Sequence, residues 1–164
     1  MRDLLTHSTN QERASSPGKI TIFADGLFEP RNSNGFACWG WAAIDADGQE
    51  IASAYGCVGR GAGMSNNVAE YTGLIEGLKW ADEHAAGMDI ELLTDSQLAV
   101  NQVIGEWECR APHLIPLCDD VRRLLRQTKA RLRWIPREQN TRADELTRIA
   151  YREARKEARK AVRQ

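Results

Sequence analysis

Four carboxylates, spread from one end of the chain to the other, are the residues whose types and contexts carry chemistry. Asp25-Gly26 closes the run Ile20-Thr21-Ile22-Phe23-Ala24, and Asn66-Asn67-Val68-Ala69-Glu70 opens a long amphipathic stretch. Asp95-Ser96-Gln97 closes Ile90-Glu91-Leu92-Leu93-Thr94, and Asn140-Thr141-Arg142-Ala143-Asp144-Glu145-Leu146 opens the last helical segment. Taken singly, each acid has a plain structural use. Asp25-Gly26 is a turn pair, Asn67 to Glu70 and Thr141 to Asp144 have capping-box spacing, and Asp95 is placed to cap the helix that follows it. Together they say more, because strand ends and helix starts converge at one edge of an open α/β sheet. Carboxylates gathered there repel and raise one another's pKa unless cations neutralise them. Oxygen ligands suit Mg²⁺ and Mn²⁺, and a pair of such ions can clamp a phosphodiester.

The elements that must position these acids follow from hydrophobic periodicity. Residues 20–24 form a short apolar, β-branched run suited to a buried strand. Residues 27–35, with Pro30, Asn32, Ser33, Asn34 and Gly35, read as a loop. Strands are expected at Ala37–Ile44 and Glu50–Val58 around the turn Asp45-Ala46-Asp47-Gly48, giving an antiparallel meander. Apolar positions Val68, Tyr71, Leu74, Ile75, Leu78 and Ala81 recur at three and four, which predicts a helix entered through Ser65-Asn66-Asn67 and stopped by Gly87. A strand at 90–94, a short helix at 96–104, a helix at 114–128, a strand at 131–135 and a helix from Asn140 complete the order. That order is α/β, with a five-stranded mixed sheet whose first three strands are antiparallel and whose helices cover both faces. Residues 1–17 read as a flexible tail, 18–150 as the catalytic domain, and 151–164 as a basic helical extension with little to pack, expected to project from the body.

Composition narrows the classes. A chain of 164 residues, 42% hydrophobic and 27% charged, fits one globular domain. Apolar runs are too short for a membrane span and the start has no apolar h-region, so a cytoplasmic, non-membrane protein is expected. The four cysteines show no C-x-x-C pair, which favours reduced thiols over a zinc site. His7, His84 and His113 stand in no triad or ligand spacing, which gives no support to a Ser-His-Asp hydrolase. The net charge of -1 hides an asymmetry: residues 1–120 carry 7 Lys+Arg against 18 Asp+Glu, and residues 121–164 carry 15 against 5. An acidic body beside a basic segment suits a metal-dependent enzyme acting on a polyanion, although a solvated charged helix explains the last residues equally well.

The stretches TIFADG, SNNVAEYTGLIEGLKWA, LLTDSQLAVNQV and WIPREQNTRADELT, in this order over roughly residues 19–150, resemble type 1 ribonuclease H. The resemblance implies a metal-dependent endoribonuclease that cuts the RNA strand of an RNA-DNA hybrid, leaving a 5′ phosphate and a 3′ hydroxyl. It makes Asp25, Glu70, Asp95 and Asp144 the catalytic acids and the ligands of two Mg²⁺, with Mn²⁺ as a substitute. Asp25 would bridge the ions, Glu70 and Asp95 serve one of them, and Asp144 serve the other. Asn66, Asn67, Gln97, Ser65 and Asn32 become the candidates for substrate contact, since only the 2′ hydroxyl distinguishes RNA from DNA. Monomer is the expected state.

The sequence departs from the family pattern in several places. No histidine occurs in the short loop Pro136-Arg137-Glu138-Gln139-Asn140, so the chain resembles a short-loop branch in which Glu138 or Arg137 takes over proton transfer or product release. The loop after Asp25 is LFEPRNSNGFACWGW in place of a glycine-rich stretch, and Glu29 adds an unassigned acid. Residues 96–112 hold no Lys- and Trp-rich handle for a DNA strand. Grip is then expected from the run Arg122, Arg123, Arg126, Lys129, Arg131, Arg133 and Arg137, or from the basic tail. Two rivals remain at this level: the same fold acting on double-stranded RNA, and a nucleic-acid-binding module without catalysis.

Overall fold

The computed structural model describes residues 17–163; the expected tail, residues 1–17, lies almost wholly outside the described residues. The chain forms β1 (Lys19–Glu29), β2 (Phe36–Asp45), β3 (Glu50–Arg60), α1 (Asn66–His84), β4 (Asp89–Thr94), α2 (Gln97–Ile104), α3 (Ile115–Thr128), β5 (Arg131–Trp134), a 3₁₀ turn (Arg137–Gln139) and α4 (Thr141–Val162). The strands make one sheet in the order β3-β2-β1-β4-β5. β1-β2 and β2-β3 pair antiparallel, β1-β4 and β4-β5 parallel. This is the expected five-stranded mixed α/β fold.

Alternation along the strands assigns a helix to each face. A Cβ on Gly77 of α1 would meet the Trp41 side chain, whereas one on Gly40, the neighbour of Trp41 in β2, would meet Leu146 and Ala143 of α4. Ile20, Ile22, Ala24, Trp41 and Ala43 therefore form the main core with Tyr71, Leu74 and Leu78 of α1, closed by Val121 and Leu124 of α3. Phe36 and Cys38 form a smaller core with Ala150 on the other face.

Two expectations are corrected. β1 does not end near Ala24 but continues to Glu29, and residues 27–29 are strand instead of loop. Its antiparallel ladder with β2 runs on to Glu29↔Phe36, although the parallel ladder with β4 stops at Phe23↔Leu93. The segment after Tyr151 does not project freely: α4 is unbroken to Val162, and Tyr151, Ala154 and Ala158 pack on the Phe36-Cys38 cluster. Small alanines allow that close seating, and the Tyr55 hydroxyl donates to Glu153 at 3.0 Å beside it. No helix among the described residues is long and apolar enough to cross a membrane.

Candidate active site

Asp25 sits two residues beyond the last β1-β4 pair, and Asp95 two residues beyond its partner Leu93, so the two acids flank the point where the parallel strands part. Asp25 is 8% exposed, and its Oδ1 accepts from the Gly26 amide at 2.8 Å. Burial, followed by the field of Asp95, pushes its carboxyl up to about 8, with Asp144 and Glu70 adding to the shift and the Gly26 amide opposing it. Four acids from β1, α1, the end of β4 and the start of α4 therefore share one electrostatic neighbourhood.

Close backbone contact brings them there. A Cβ on Gly26 would lie 2.2 Å from the Glu70 amide nitrogen, and one on Gly73 would lie 2.6 Å from the Asp25 carbonyl oxygen. The absence of both side chains lets the first turns of α1 lie directly on β1. On the other face Gly40 does the same for α4, where a Cβ would come within 2.6 Å of Leu146 Cβ. That contact carries Asp144, two residues earlier, toward Asp25.

None of the four acids serves as a helix cap. Ser65 caps α1 by accepting from the Val68 amide at 3.1 Å, and Ser96 caps α2 by accepting from Ala99 at 3.2 Å. Glu70 instead accepts from the Ser96 hydroxyl and from Asn66 Nδ2 at 2.7 Å, and burial leads the causes that raise its carboxyl, against those two hydrogen bonds. Asp95 Oδ1 accepts from Asn140 Nδ2 at 2.8 Å. Asp144 Oδ2 accepts from Arg148 Nε at 2.9 Å. The turn-and-cap explanations that each acid allows in isolation thus fail at all three helix starts.

The remaining sequence candidates divide. Asn66 joins the acids through Glu70, Ser65 spends its hydroxyl on the cap, and Asn67 is half-buried in the first turn of α1. Gln97 is exposed at the first residue of α2. Asn32 lies in the β1-β2 turn, accepting from the Asn34 amide at 2.9 Å, and lines a cavity of about 530 Å³ with Arg31, Ser33, Met64 and Asn66. Arg137 and Glu138 are exposed in the 3₁₀ turn, and no hydrogen bond or ion pair joins either side chain to the acids among the described residues.

Three participants escaped the sequence reading. Ser96 holds Glu70, Asn140 holds Asp95, and the exposed Trp134 donates its indole N–H to the Asp95 carbonyl at 3.2 Å. Adjacency to an acid was the available signal for Ser96; nothing in the sequence pairs Asn140 or Trp134 with Asp95.

Among the described residues no three of these acids are drawn in far enough to enclose an ion as they stand, each leaning on a protein partner. The donor set nonetheless fits a hard divalent cation. It is all oxygen, and positive charge between the acids would relieve the repulsion that raises Asp25.

Residues 24–150 match the family described as reverse transcriptase-like. The bifunctional protein Rv2228c of Mycobacterium tuberculosis is 37% identical over 130 residues, which is 78% of this chain and 34% of that protein. The chain thus spans about a third of that relative's length. The solved N-terminal RNase H domain of Rv2228c superposes with a TM-score of 0.74 at 35% identity, over 86% of this chain and 99% of that one. RNase H1 of the halophilic archaeon Halobacterium salinarum gives 0.72 at 34% identity, over 81% and 97%. LC11-RNase H1, from compost by a metagenomic approach and solved in complex with an RNA/DNA hybrid, gives 0.71 at 30%, over 82% and 98%. With the fold, the order of motifs and near-complete coverage of these domains in agreement, this chain belongs to the type 1 ribonuclease H family.

Proposed function

We propose that the protein is a metal-dependent endoribonuclease that hydrolyses the RNA strand of RNA-DNA hybrids and leaves a 5′ phosphate and a 3′ hydroxyl. The observation that carries this reading is the meeting of four acids from four elements, none of them spent on a helix cap. Asp25, Glu70, Asp95 and Asp144 would hold two Mg²⁺, with Mn²⁺ as a substitute. When bound, such ions supply an activated water and stabilise the leaving 3′ oxygen. The protein's own part is to keep the ligands in place: the Gly26 amide orients Asp25, Ser96 and Asn66 orient Glu70, Asn140 orients Asp95, and Arg148 restrains Asp144. Selectivity for RNA falls to Asn66, Asn67, Gln97 and Asn32 reading 2′ hydroxyls, with backbone near Ser65 on a phosphate. Glu138 or Arg137 takes the proton-transfer or product-release role. Residues 18–150 act as the catalytic unit of a cytoplasmic monomer, and 151–164 as its basic helical extension.

The test is cleavage of an end-labelled RNA-DNA hybrid beside matched RNA and DNA duplexes, with Mg²⁺, Mn²⁺ or chelator. Metal-dependent cutting confined to the RNA strand of the hybrid is expected. Equal cutting of double-stranded RNA would shift the substrate, and tight hybrid binding with no turnover in either metal would remove the enzyme assignment.

A further inference from the structure

From Arg148 to its C-cap Arg163, α4 carries a row of arginines. Arg148, Arg152, Arg155, Arg159 and Arg163 recur at intervals of three and four residues and are all exposed, so they share one side of the helix over about 22 Å. Lys156 and Lys160 flank the row. The adjoining side, Tyr151, Ala154 and Ala158, is already seated on Phe36 and Cys38, which fixes the row's orientation to the sheet.

This charge is not consumed internally. Among the described residues no salt bridge joins Arg152, Arg155, Lys156, Arg159, Lys160 or Arg163 to a carboxylate. The other basic run is more than half consumed: Arg131 pairs with Asp89, Arg133 with Glu91 and Arg123 with Asp120, while Arg122 donates to the Gln102 and Val103 carbonyls. Arg126, Lys129 and Arg137 of that run are without an ion pair among the described residues, so the tail, with six such cations against three, has the larger surplus.

The row also leads to the acids. Its first member, Arg148, bonds Asp144 and is shifted up by that contact, with Asp25 and Glu29 contributing. Farther along, Arg155, Arg159 and Arg163 line a cavity of about 720 Å³ with Pro30, Phe36 and Arg60. Arg155 lies over the Tyr151 ring at 5.4 Å and Arg60 over Phe36 at 4.7 Å, so two guanidinium groups are held in place on aromatic faces. Pro30 begins the turn whose next residues, Arg31 and Asn32, line the cavity that includes Asn66.

We propose that this arginine row is a second grip on the nucleic-acid duplex, holding phosphates on the flank of the cleavage site. The inference rests on the hybrid-cleaving reading of the site. An acidic centre repels a polyanion, and a cationic row beginning at that centre supplies the compensating attraction. A membrane surface fits less well, because the apolar side of α4 is spent on the sheet and only Val162 stands out from it.

The test uses the full chain with chelator, so that binding is read without turnover. Affinity for a hybrid of about 24 base pairs is measured by fluorescence anisotropy across a salt series for the unaltered protein, for R155Q/R159Q/R163Q and for R155K/R159K/R163K. Loss of up to three phosphate contacts should flatten the slope of log K against log salt by about 2 to 3 and weaken binding roughly tenfold or more at 0.1 M salt, with the lysine variant near the unaltered protein. An unchanged affinity and slope in the glutamine variant, with its helical circular dichroism intact, would overturn the inference. So would loss of binding to phosphatidylglycerol vesicles with hybrid binding intact. Failure of the unaltered chain to cut any hybrid with Mg²⁺ or Mn²⁺ would instead defeat the reading of the site, which keeps the two failures apart.

Discussion

Asn140 Nδ2 lies 2.8 Å from Asp95 Oδ1 and, with its second hydrogen, donates to the Ala24 carbonyl at 3.0 Å. One amide at the start of α4 therefore ties the end of β4 to the middle of β1. Asn140 is 1% exposed, and its own Oδ1 is a buried acceptor with no partner, so the side chain is oriented entirely by what it donates.

Replacing Asn140 with alanine frees Asp95 and leaves the Ala24 carbonyl unsatisfied. Second-layer partners of metal ligands are worth about 10- to 100-fold in metal affinity or activity, and a buried unpaired carbonyl costs about 1–3 kcal/mol. Mg²⁺ titration by calorimetry and urea unfolding should show both losses. Full activity with lowered stability would reduce Asn140 to a structural strut.

Asp25→Asn keeps the shape and removes the charge nearest the middle of the cluster. Hybrid cleavage should fall by at least about 10³-fold while the circular dichroism stays the same. A variant that still cuts at the original rate would show that the reaction does not need this carboxylate.

The raised Asp25 carboxyl makes metal-free stability depend on pH with a definite sign. A carboxyl lifted from 3.8 to about 8 binds its proton more tightly folded than unfolded. The stability this carboxyl contributes is then fullest below pH 4, declines as pH rises toward 8, and levels off above it, while Glu50, held low by Arg142, acts in the opposite sense only in the acid range. Glu70, also raised, adds to the same slope. Thermal unfolding in chelator at pH 5, 7 and 9 should follow this order, and Asp25→Asn should flatten it; a Tm that rises with pH would contradict the assigned burial and repulsion.

Gly26→Ala inserts a methyl 2.2 Å from the Glu70 amide nitrogen, into backbone that cannot swing aside. Overpacking of this kind costs about 1–3 kcal/mol or more, and it should push α1, with Glu70, away from β1. Unfolding midpoint and cleavage rate should fall together. A stable, active Gly26→Ala protein would mean that α1 stands farther off than described.

Cys38 and Cys57 face each other across β2 and β3. A hydrogen bond from Cys38 draws the exposed Cys57 thiol down to about 7, while the same bond pushes buried Cys38 far up. Alkylation followed by mass spectrometry should label Cys57 first, with a rate rising through pH 7, and leave Cys38 for the unfolded state. Labelling of Cys109 ahead of Cys57 would be inconsistent with its own thiol, which is raised by burial.

The periodic elements were legible because their apolar residues repeat at the spacing of the face they bury, as in Val68, Tyr71, Leu74, Ile75 and Leu78 of α1. The acids were legible from the junctions they occupy. What escaped was set by tertiary pairing. Residues 27–29 read as loop because Pro30, Asn32, Ser33, Asn34 and Gly35 follow directly on them, and the ladder with Phe36 to Cys38 keeps them in strand. The seating of Tyr151, Ala154 and Ala158 was hidden because alanine gives a weak apolar signal. Asn140 read only as the start of the last helix, and its side-chain partners lie 45 and 116 positions away.

That separation has a consequence for how the protein comes into being. Within this domain Asp25 belongs to the first strand and Asp144 to the last helix, and the link between Asn140 and Ala24 joins the two. A nascent chain, or one cut short before Asn140, contains three of the four acids and the complete five-stranded sheet, yet lacks the helix that covers one whole side of it. The fourth acid and the covering helix thus enter together, so a chain stopped before Asn140 lacks at once one corner of the acidic cluster and the packing of one face of the sheet.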